Sequence, residues 1–194
     1  MIVCGPLPKC VDPTTDESNC GGCGVRCYFT CIDGACQQTP AECDGNLTPL
    51  NRWCDQGNGT VKDMTTGLVW LKDAGWGGLK PWREEGDWTY NDDAHTRAGI
   101  LYAGMSGAGL SDGSVEGDWR LPTKSALVGI TVGDEYIRSS QMYFFTNVQS
   151  FIYWSSTTLA GSTYYAWLVY MGYGDVYDAS KDYYSYVWPV RGGQ

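Results

Sequence analysis

The sequence predicts an α+β fold preceded by a small disulfide-rich module, and three observations lead to this prediction. All 9 cysteines lie at or before Cys54. Two segments with helical periodicity follow, and short strand-like segments separated by turn residues fill the C-terminal part. Because helices and most strands occupy separate parts of the chain, segregated elements are favoured over an alternating arrangement. We therefore predict a module of residues 1–54 and a main domain of residues 55–194.

The crowded cysteines predict disulfides, because so short a segment cannot supply enough apolar core by itself. The alternative is zinc, raised by Cys20-Gly21-Gly22-Cys23. A second such pair at ribbon spacing and a nearby histidine are both absent, so disulfides fit better. We expect Cys43 to pair with Cys54, and Cys4 is the best candidate for the cysteine that an odd count leaves over.

Disulfides form in oxidising compartments, which favours an extracellular, cell-surface or virion-surface location. We expect a secretory leader in the natural protein, although none is recognisable before Cys4.

The charge balance excludes two classes of partner. The chain has 13 Lys+Arg against 22 Asp+Glu, a formal net charge of −9. Contacts with nucleic-acid phosphates and anionic lipids both need clustered positive charge, so we expect neither partner. Since no run of about 18 apolar residues occurs, we also expect no direct membrane insertion.

The main domain opens with a predicted β-hairpin. Asp55–Gly59 is a turn, Thr60–Asp63 is a strand, Thr65–Gly67 is a second turn, and Leu68–Leu71 is an apolar strand.

Two helices follow in the sequence. The first is predicted over Trp88–Met105, with Thr89 as its N-cap. The second is predicted after Pro122, with Thr123 as its N-cap. Apolar residues at helical spacing predict the buried stripes, which are Ala94, Ala98, Leu101 and Met105 in the first helix and Ala126, Leu127 and Ile130 in the second.

The remainder reads as β-structure. Strands are predicted at Trp154–Thr158, within Tyr164–Met171 and at Val187–Arg191.

Five ordered motifs extend across residues 55–194: Asn58–Asp63, Thr66–Trp70, Asp118–Thr123, Tyr153–Thr157 and Val190–Gly193. The series resembles the DUF1566 family, also called the Legionella collagen-like C-terminal domain. The resemblance implies a C-type lectin-like fold with two helices and several short antiparallel strands. It also implies that Trp70, Trp119 and Trp154 are core residues, and that Arg120 is a structural partner for a carboxylate or a backbone carbonyl.

The segment 162–186 has an unusual composition, with eight Tyr, three Asp and three Ser. Its pattern resembles the variable proteins of diversity-generating retroelements, many of which carry a C-type lectin fold. In those systems, adenines of a template repeat are randomised during reverse transcription, and codons without adenine stay fixed. The resemblance therefore implies a fixed apolar scaffold and a diversified set of outward side chains.

The implied scaffold comprises Trp154, Trp167, Val169, Val176, Trp188, Pro189, Val190 and Arg191. The implied diversified, ligand-binding residues are Tyr164, Tyr165, Leu168, Tyr170, Gly172, Tyr173, Asp175, Tyr177, Asp178, Ser180, Asp182, Tyr183 and Ser185, with Ser162 and Tyr186 as uncertain members.

Outward tyrosines suit a protein-binding surface. Tyrosine offers a large rigid contact area with only two torsions to fix, together with an adaptable hydroxyl, and antibody loops favour it for that reason. The aspartates would favour a neutral or basic epitope. The structural alternative is that these tyrosines pair across strands as ordinary β-formers.

We expect a diversified recognition protein whose ligand is an unknown protein or glycan on another cell or virus. The alternative is a non-diversified surface adhesin or a carbohydrate-binding lectin domain.

The sequence does not favour an enzymatic function, and we expect neither catalytic residues nor a cofactor. Formylglycine-generating enzymes share the broad fold but depend on catalytic cysteines, which residues 55–194 lack. His95 is the only histidine and lacks a nucleophile elbow, while Glu84 and Glu85 read as a solvated surface pair. Asp55, Asn58 and Asp63 resemble an oxygen cage for calcium only loosely, so we expect calcium-independent binding.

Overall fold

The computed structural model describes residues 52–83, 92–131 and 144–192, together with Cys43 and the backbone of five short strands before residue 48. The chain divides into two compact units, Met1–Cys54 and Asp55–Gln194. Glu84, Glu85 and the predicted cap Thr89 lie outside the described residues, as do the side chains of the seven cysteines other than Cys43 and Cys54.

The first unit is built from very short strands. β1 (Ile2–Cys4) pairs antiparallel with β2 (Lys9–Val11), and β3 (Cys31–Ile32) pairs antiparallel with β4 (Ala35–Cys36). β5 (Asn46–Leu47) follows, and β6 (Trp53–Asp55) contains the boundary between the units. The predicted disulfide between Cys43 and Cys54 is confirmed, with Cα atoms 5.9 Å apart.

The second unit has an α+β architecture, as predicted. Its β7 (Thr60–Asp63) and β8 (Leu68–Leu71) form an antiparallel hairpin with the predicted bounds. Gly67 closes the turn, since its N–H donates to the Asp63 carbonyl and its φ of 73° suits glycine. The last strand, β14 (Val190–Gly192), pairs antiparallel with β8.

The larger sheet of this unit contains most of the C-terminal strands. They are β9 (Leu79–Pro81), β10 (Ile152–Leu159), β11 (Ser162–Tyr170), β12 (Val176–Ser180) and β13 (Tyr184–Tyr186). The spatial order is β12-β11-β10-β13-β9. The β10–β13 pair is parallel and the other pairs are antiparallel.

The first helix is shorter than predicted, with α1 covering only Ala94–Gly99 within the described part of that region. Its N-cap is Asp93, whose carboxylate accepts a hydrogen bond from the Thr96 N–H. Beyond the helix, the N–H groups of Ala103 and Gly104 donate to carbonyls of the 110–114 loop instead of to the preceding turn. These hydrogen bonds to the following loop end the helix early. The predicted stripe residues Ala94, Ala98 and Leu101 are fully buried, whereas Met105 is only partly buried.

The second helix, α2 (Lys124–Thr131), agrees with the prediction. The Thr123 hydroxyl accepts a hydrogen bond from the Ala126 N–H, which makes Thr123 the N-cap. Leu127 and Ile130 are fully buried.

A bulge in β10 joins two of the sequence motifs. Five residues of β10, from Trp154 to Thr158, lie opposite only three of β11, from Leu168 back to Ala166. The bulge holds the start of α2, because the Ser156 N–H donates to the Pro122 carbonyl and the Thr157 hydroxyl accepts from the Lys124 N–H. The Asp118–Thr123 and Tyr153–Thr157 motifs therefore meet in space.

Tryptophans dominate the core, and their indole N–H groups select specific carbonyls. Trp70, Trp119 and Trp154 are buried, as the resemblance implied. The Trp154 indole donates to the Lys80 carbonyl, and the Trp188 indole donates to the Leu71 carbonyl. Such hydrogen bonds fix the orientation of each ring as well as its burial.

Arg120 binds backbone carbonyls, in line with the expectation from the resemblance. Its guanidinium donates to the carbonyls of Leu121 and Gly192. Arg191 of the same region forms an ion pair with Asp112, whose side chain is fully buried. Both arginines thus hold the C-terminal strand in place.

Burial gives Tyr153 a testable pH signature. The side chain is fully buried, its hydroxyl accepts a hydrogen bond from the Gln149 N–H, and desolvation raises the pKa of its phenol well above the ordinary value. In the unfolded chain the phenol ionises near pH 10. The folded state therefore holds this proton more tightly, and its contribution to stability is lost as the pH rises above about 10.

We predict that Tyr153→Phe reduces the alkaline loss of stability. The free energy of unfolding, measured by urea titration at about pH 8 and about pH 11, should fall less in this variant than in the parent. Tyr164→Phe is the matched control, because its ring is exposed and its replacement should leave the fall unchanged. An unchanged pH dependence in Tyr153→Phe would contradict the prediction.

Candidate functional site

The candidate site lies on the hairpin formed by β11 and β12. These strands pair in continuous antiparallel register from Tyr165 opposite Ser180 to Val169 opposite Val176. A tight turn joins them, in which the Gly174 N–H donates to the Tyr170 carbonyl and the Tyr170 N–H donates to the Asp175 carbonyl. The backbone that carries the predicted residues is therefore held by regular hydrogen bonds.

Most of the predicted residues expose their side chains. Tyr164 and Tyr173 are the most open, with 79% and 72% of their surface exposed. Among the described residues, seven tyrosines are exposed, and six of them lie between positions 164 and 184. We define the hairpin surface as the exposed tyrosines and aspartates of this segment, which are Tyr164, Tyr165, Tyr173, Asp175, Tyr177, Asp178, Asp182, Tyr183 and Tyr184.

Two predicted members are buried, so the prediction that they face outward is wrong. Leu168 is 1% exposed and packs in the core with Trp154 and Leu121. Ser185 is 0% exposed, and its hydroxyl has no hydrogen-bond partner among the described residues. Leu168 lies in the half of β11 where both faces are covered, and Ser185 lies on β13 between β10 and β9. A ligand could not reach either side chain without rearrangement of the sheet.

Three further predicted members are partly covered: Tyr170, Gly172 and Ser180. The ring of Tyr170 lies against the Cα of Gly172, so that a side chain at position 172 would displace it. Tyr170 also contacts the Tyr173 ring, with centroids 5.5 Å apart. These residues therefore support the exposed tyrosine at the turn more than they add surface of their own.

The implied scaffold is mostly buried, and Val176 is its one exposed member, at 38%. Trp167 and Arg191 are partly buried, and the fully buried members are Trp154, Val169, Trp188, Pro189 and Val190. Val176 is exposed because it lies on β12, the end strand of the sheet, where no further strand covers it in the described part of the chain.

Tyr184 is a member of the hairpin surface that the sequence prediction missed. It pairs opposite Pro81 at the start of β13 and is 53% exposed. The signal was present in the sequence, because Tyr184 directly follows Tyr183 in the same tyrosine-rich segment.

The hairpin surface extends around an edge instead of covering a single face. Val176, Tyr177 and Asp178 are consecutive and all exposed, so both faces of the first half of β12 are open. In the second half of β11, by contrast, Ala166 and Leu168 are buried on one face and Val169 is buried on the other. Core and surface residues therefore do not alternate regularly between the two faces of either strand.

The turn end of the surface is fixed against α2. Gly174 has a φ of 83°, and a Cβ at this position would lie 2.8 Å from the Thr131 hydroxyl oxygen. The Tyr177 hydroxyl donates to the Asp175 carboxylate at 3.3 Å, and the charge of Asp175 raises the pKa of that phenol. Tyr177 thus remains a neutral hydrogen-bonding group here at physiological pH.

The opposite end is fixed against the loop that follows β12. The Lys181 N–H donates to the Tyr164 carbonyl, and the Trp82 N–H donates to the Lys181 carbonyl. The Lys181 ammonium lies over the Trp82 ring, 3.9 Å from its centroid. From Tyr164 to Tyr170 the strand covers about 20 Å, which is comparable with the width of a protein–protein contact patch.

The residues considered above for catalysis or calcium binding contact other residues of the fold. His95 lies on α1 with its ring edge-on to Trp82, 4.5 Å between centroids. The Asp55 carboxylate accepts from the Gly57 N–H and pairs with Lys72, while Asn58 accepts from the Thr60 N–H. No group of three His, Cys, Asp or Glu side chains within the described ranges is arranged to hold a metal ion. None of the helices in those ranges is long and apolar enough to cross a bilayer.

Comparison with known proteins identifies the family. The sequence model of the Lcl C-terminal domain family matches residues 59–191, so the chain belongs to this family. The match confirms the resemblance drawn from the five motifs. No curated protein sequence matches the chain.

We predict that truncating a buried member of the predicted site lowers stability much more than truncating an exposed member. Leu168→Ala should lower the free energy of unfolding by about 2–5 kcal/mol, because it leaves a cavity beside Trp154. Tyr173→Ala should change it by only about 0.5 kcal/mol, since the ring is largely in water. Urea unfolding measures both, and a stability loss below about 1 kcal/mol for Leu168→Ala would contradict the assignment of this residue to the core.

Proposed function

We propose that this member of the Lcl C-terminal domain family is a non-enzymatic recognition protein, exposed to an extracellular compartment, that binds a protein ligand through its hairpin surface. The observation that carries the proposal is the concentration of six exposed tyrosines between positions 164 and 184. An exposed tyrosine ring adds little to the stability of the fold, because it is not packed in the core. On a fixed backbone it can contact a partner with little loss of conformational entropy.

The fold and the location belong to the same proposal. A C-type lectin-like fold agrees with the two helices and the predominantly antiparallel strand pairs in the described part of the second unit. An extracellular, cell-surface or virion-surface location agrees with the disulfide between Cys43 and Cys54. The ligand would be a protein on another cell or virus.

We further propose that the hairpin surface is diversified by a retroelement. Side chains such as Tyr164, Tyr173 and Asp178 are exposed, so their replacement should cost little stability. The residues that fix the backbone, such as Trp154 and Val169, are buried and would need to remain constant. A system that varies its ligand contacts and keeps one fold requires such a separation between exposed variable residues and buried constant ones.

Nearby genomic DNA tests the diversification. We predict a near-copy of the codons for residues 154–193, differing from the gene only at adenines and adjoining a reverse-transcriptase gene. The differences should fall on codons of the hairpin surface and spare those of Trp154, Val169 and Trp188. Differences scattered over all four bases, or the absence of a repeat, would show that the surface is not diversified.

Carbohydrate recognition is the second candidate function. It is favoured by the Tyr170 and Tyr173 rings, which lie at an interplanar angle of 32° and leave Tyr173 open to stack on a sugar. Binding that is lost on chelation of calcium or competed by simple glycans would support this candidate. Binding to a purified protein that survives both treatments supports the protein ligand.

We predict that the exposed tyrosines carry the affinity. The triple variant Tyr164→Ala, Tyr173→Ala and Tyr177→Ala should bind at least about 30-fold more weakly to a protein ligand selected from a panel of purified surface proteins. Its melting temperature should stay close to that of the parent, because all three rings are exposed.

Tyr102→Ala is the matched control, since Tyr102 is also exposed but lies outside the hairpin surface. Biolayer interferometry measures the affinity of both proteins for the ligand, and Tyr102→Ala should leave it unchanged. Equal losses in the triple variant and the control, or a large drop in melting temperature of the triple variant, would contradict the proposed role of the surface.

A further inference from the structure

The outer edge of β12 is open. β12 is the end strand of its sheet, with β11 on one side and no described strand on the other. Val176, Tyr177 and Asp178 are all exposed, and no described residue covers either the faces or the edge of this half of the strand.

The hydrogen-bond pattern shows which backbone groups face that edge. The Tyr170 N–H donates to the Asp175 carbonyl, which makes this pair a hydrogen-bonded one. Because such pairs recur at every second residue of an antiparallel ladder, Tyr177 directs its N–H and C=O towards Leu168. Val176 and Asp178 then direct theirs away from β11, and no described residue bonds to them.

The open edge has definite limits. The Ser180 carbonyl accepts a hydrogen bond from the Tyr183 N–H, which closes the strand at that end. The turn at Gly174 closes the other end. An added strand would therefore bond to Val176 and Asp178, with the side chains of Asp175, Tyr177 and Asp182 beside it.

The charge at the edge distinguishes between possible occupants. Asp175, Asp178 and Asp182 are exposed, and the one basic side chain in residues 173–183, Lys181, lies over the Trp82 ring. A second copy of the chain would bring three further carboxylates to an edge that already has three, which is unfavourable. A basic segment would place lysines or arginines beside the three carboxylates.

We propose that an extended, basic peptide segment of the protein ligand adds to β12 as a sixth strand of the sheet. This inference rests on the proposed recognition function and names its mode. Backbone hydrogen bonds to Val176 and Asp178 would supply affinity that does not depend on the diversified side chains. The aspartates and tyrosines beside the edge would select the sequence of the bound segment.

The test uses a peptide probe and the full chain. The probe is a fluorescein-labelled peptide of about six residues in which lysine and valine alternate. Two control peptides differ in one feature each. In one, the backbone nitrogens along one edge are methylated, and in the other, glutamate replaces lysine. Fluorescence anisotropy gives the dissociation constant of each peptide, and amide NMR of the isotope-labelled chain locates the binding.

We expect the lysine–valine peptide to bind and to shift the amide signals of Val176 and Asp178 more than others. Methylation of the peptide backbone should weaken binding by about tenfold or more, and the glutamate peptide should not bind. Higher salt should weaken binding, since the aspartates are exposed.

Two variants of the chain separate the backbone from the side chain. Asp178→Pro removes the outward N–H and should weaken probe binding about tenfold, because proline at an edge position blocks strand addition. Asp178→Asn keeps the N–H and should weaken it only a few-fold, by the lost charge. If Asp178→Pro lowers the melting temperature, Val176→Pro replaces it, and the methylated peptide tests the same hydrogen bonds with the unaltered chain.

Several results would overturn the inference. They are no binding at about millimolar probe, equal affinity for the methylated peptide, amide shifts away from β12, or self-association of the chain that Asp178→Pro abolishes. Each of these leaves the recognition function separately testable. If the triple tyrosine variant still loses its protein ligand, the hairpin surface binds through side chains and only the added strand is wrong.

Discussion

The burial of Ala166 and Leu168 at the centre of β11 is the constraint on which the rest of the site depends. Both side chains are in the core that includes Trp154 and Leu121, and burial of a leucine is worth about 1.5–3 kcal/mol. With the centre of β11 fixed in this way, the ladder to β12 fixes its neighbour. The ends of the hairpin are held at Gly174 and Lys181 by hydrogen bonds of the backbone. The exposed side chains are therefore positioned by the strands and not by contacts of their own.

This arrangement separates stability from recognition within one short segment. Neighbouring positions such as Leu168 and Tyr177 are opposite each other in the ladder, yet one is in the core and the other is 49% exposed. A change at an exposed position costs little, whereas a change in the core costs several kcal/mol. The same backbone can thus present many different surfaces. The open edge of β12 adds a contact that no substitution of side chains removes, apart from proline.

Local signals in the sequence were sufficient for some elements and not for others. β7, β8 and the Thr123 cap were predicted with their observed bounds, because turns and caps depend on residues close together in the chain. The end of α1 was missed, since it depends on hydrogen bonds from Ala103 and Gly104 to the 110–114 loop that follows the helix. Hydrophobic periodicity does not reveal hydrogen-bond partners of this kind.

The candidate site was predicted in composition and location but not in orientation. Alternation assumes that each strand has one covered face and one open face. The second half of β11, an inner strand, is covered on both faces, which buries Leu168. The first half of β12, an end strand, is covered on neither face, which exposes Val176. Strand order decides between these cases, and it follows from long-range pairing that a single sequence does not display.

The most direct measurement of the central claim is amide hydrogen exchange in the native chain, followed residue by residue from Tyr164 to Tyr184. A fixed hairpin predicts slow exchange at Ala166, Leu168 and Tyr177, whose N–H groups lie in the ladder between β11 and β12. It predicts fast exchange at Val176 and Asp178, whose N–H groups point away from β11. Uniformly fast exchange across the segment would contradict the account, because the tyrosines would then be carried by a mobile loop and not by a fixed strand pair.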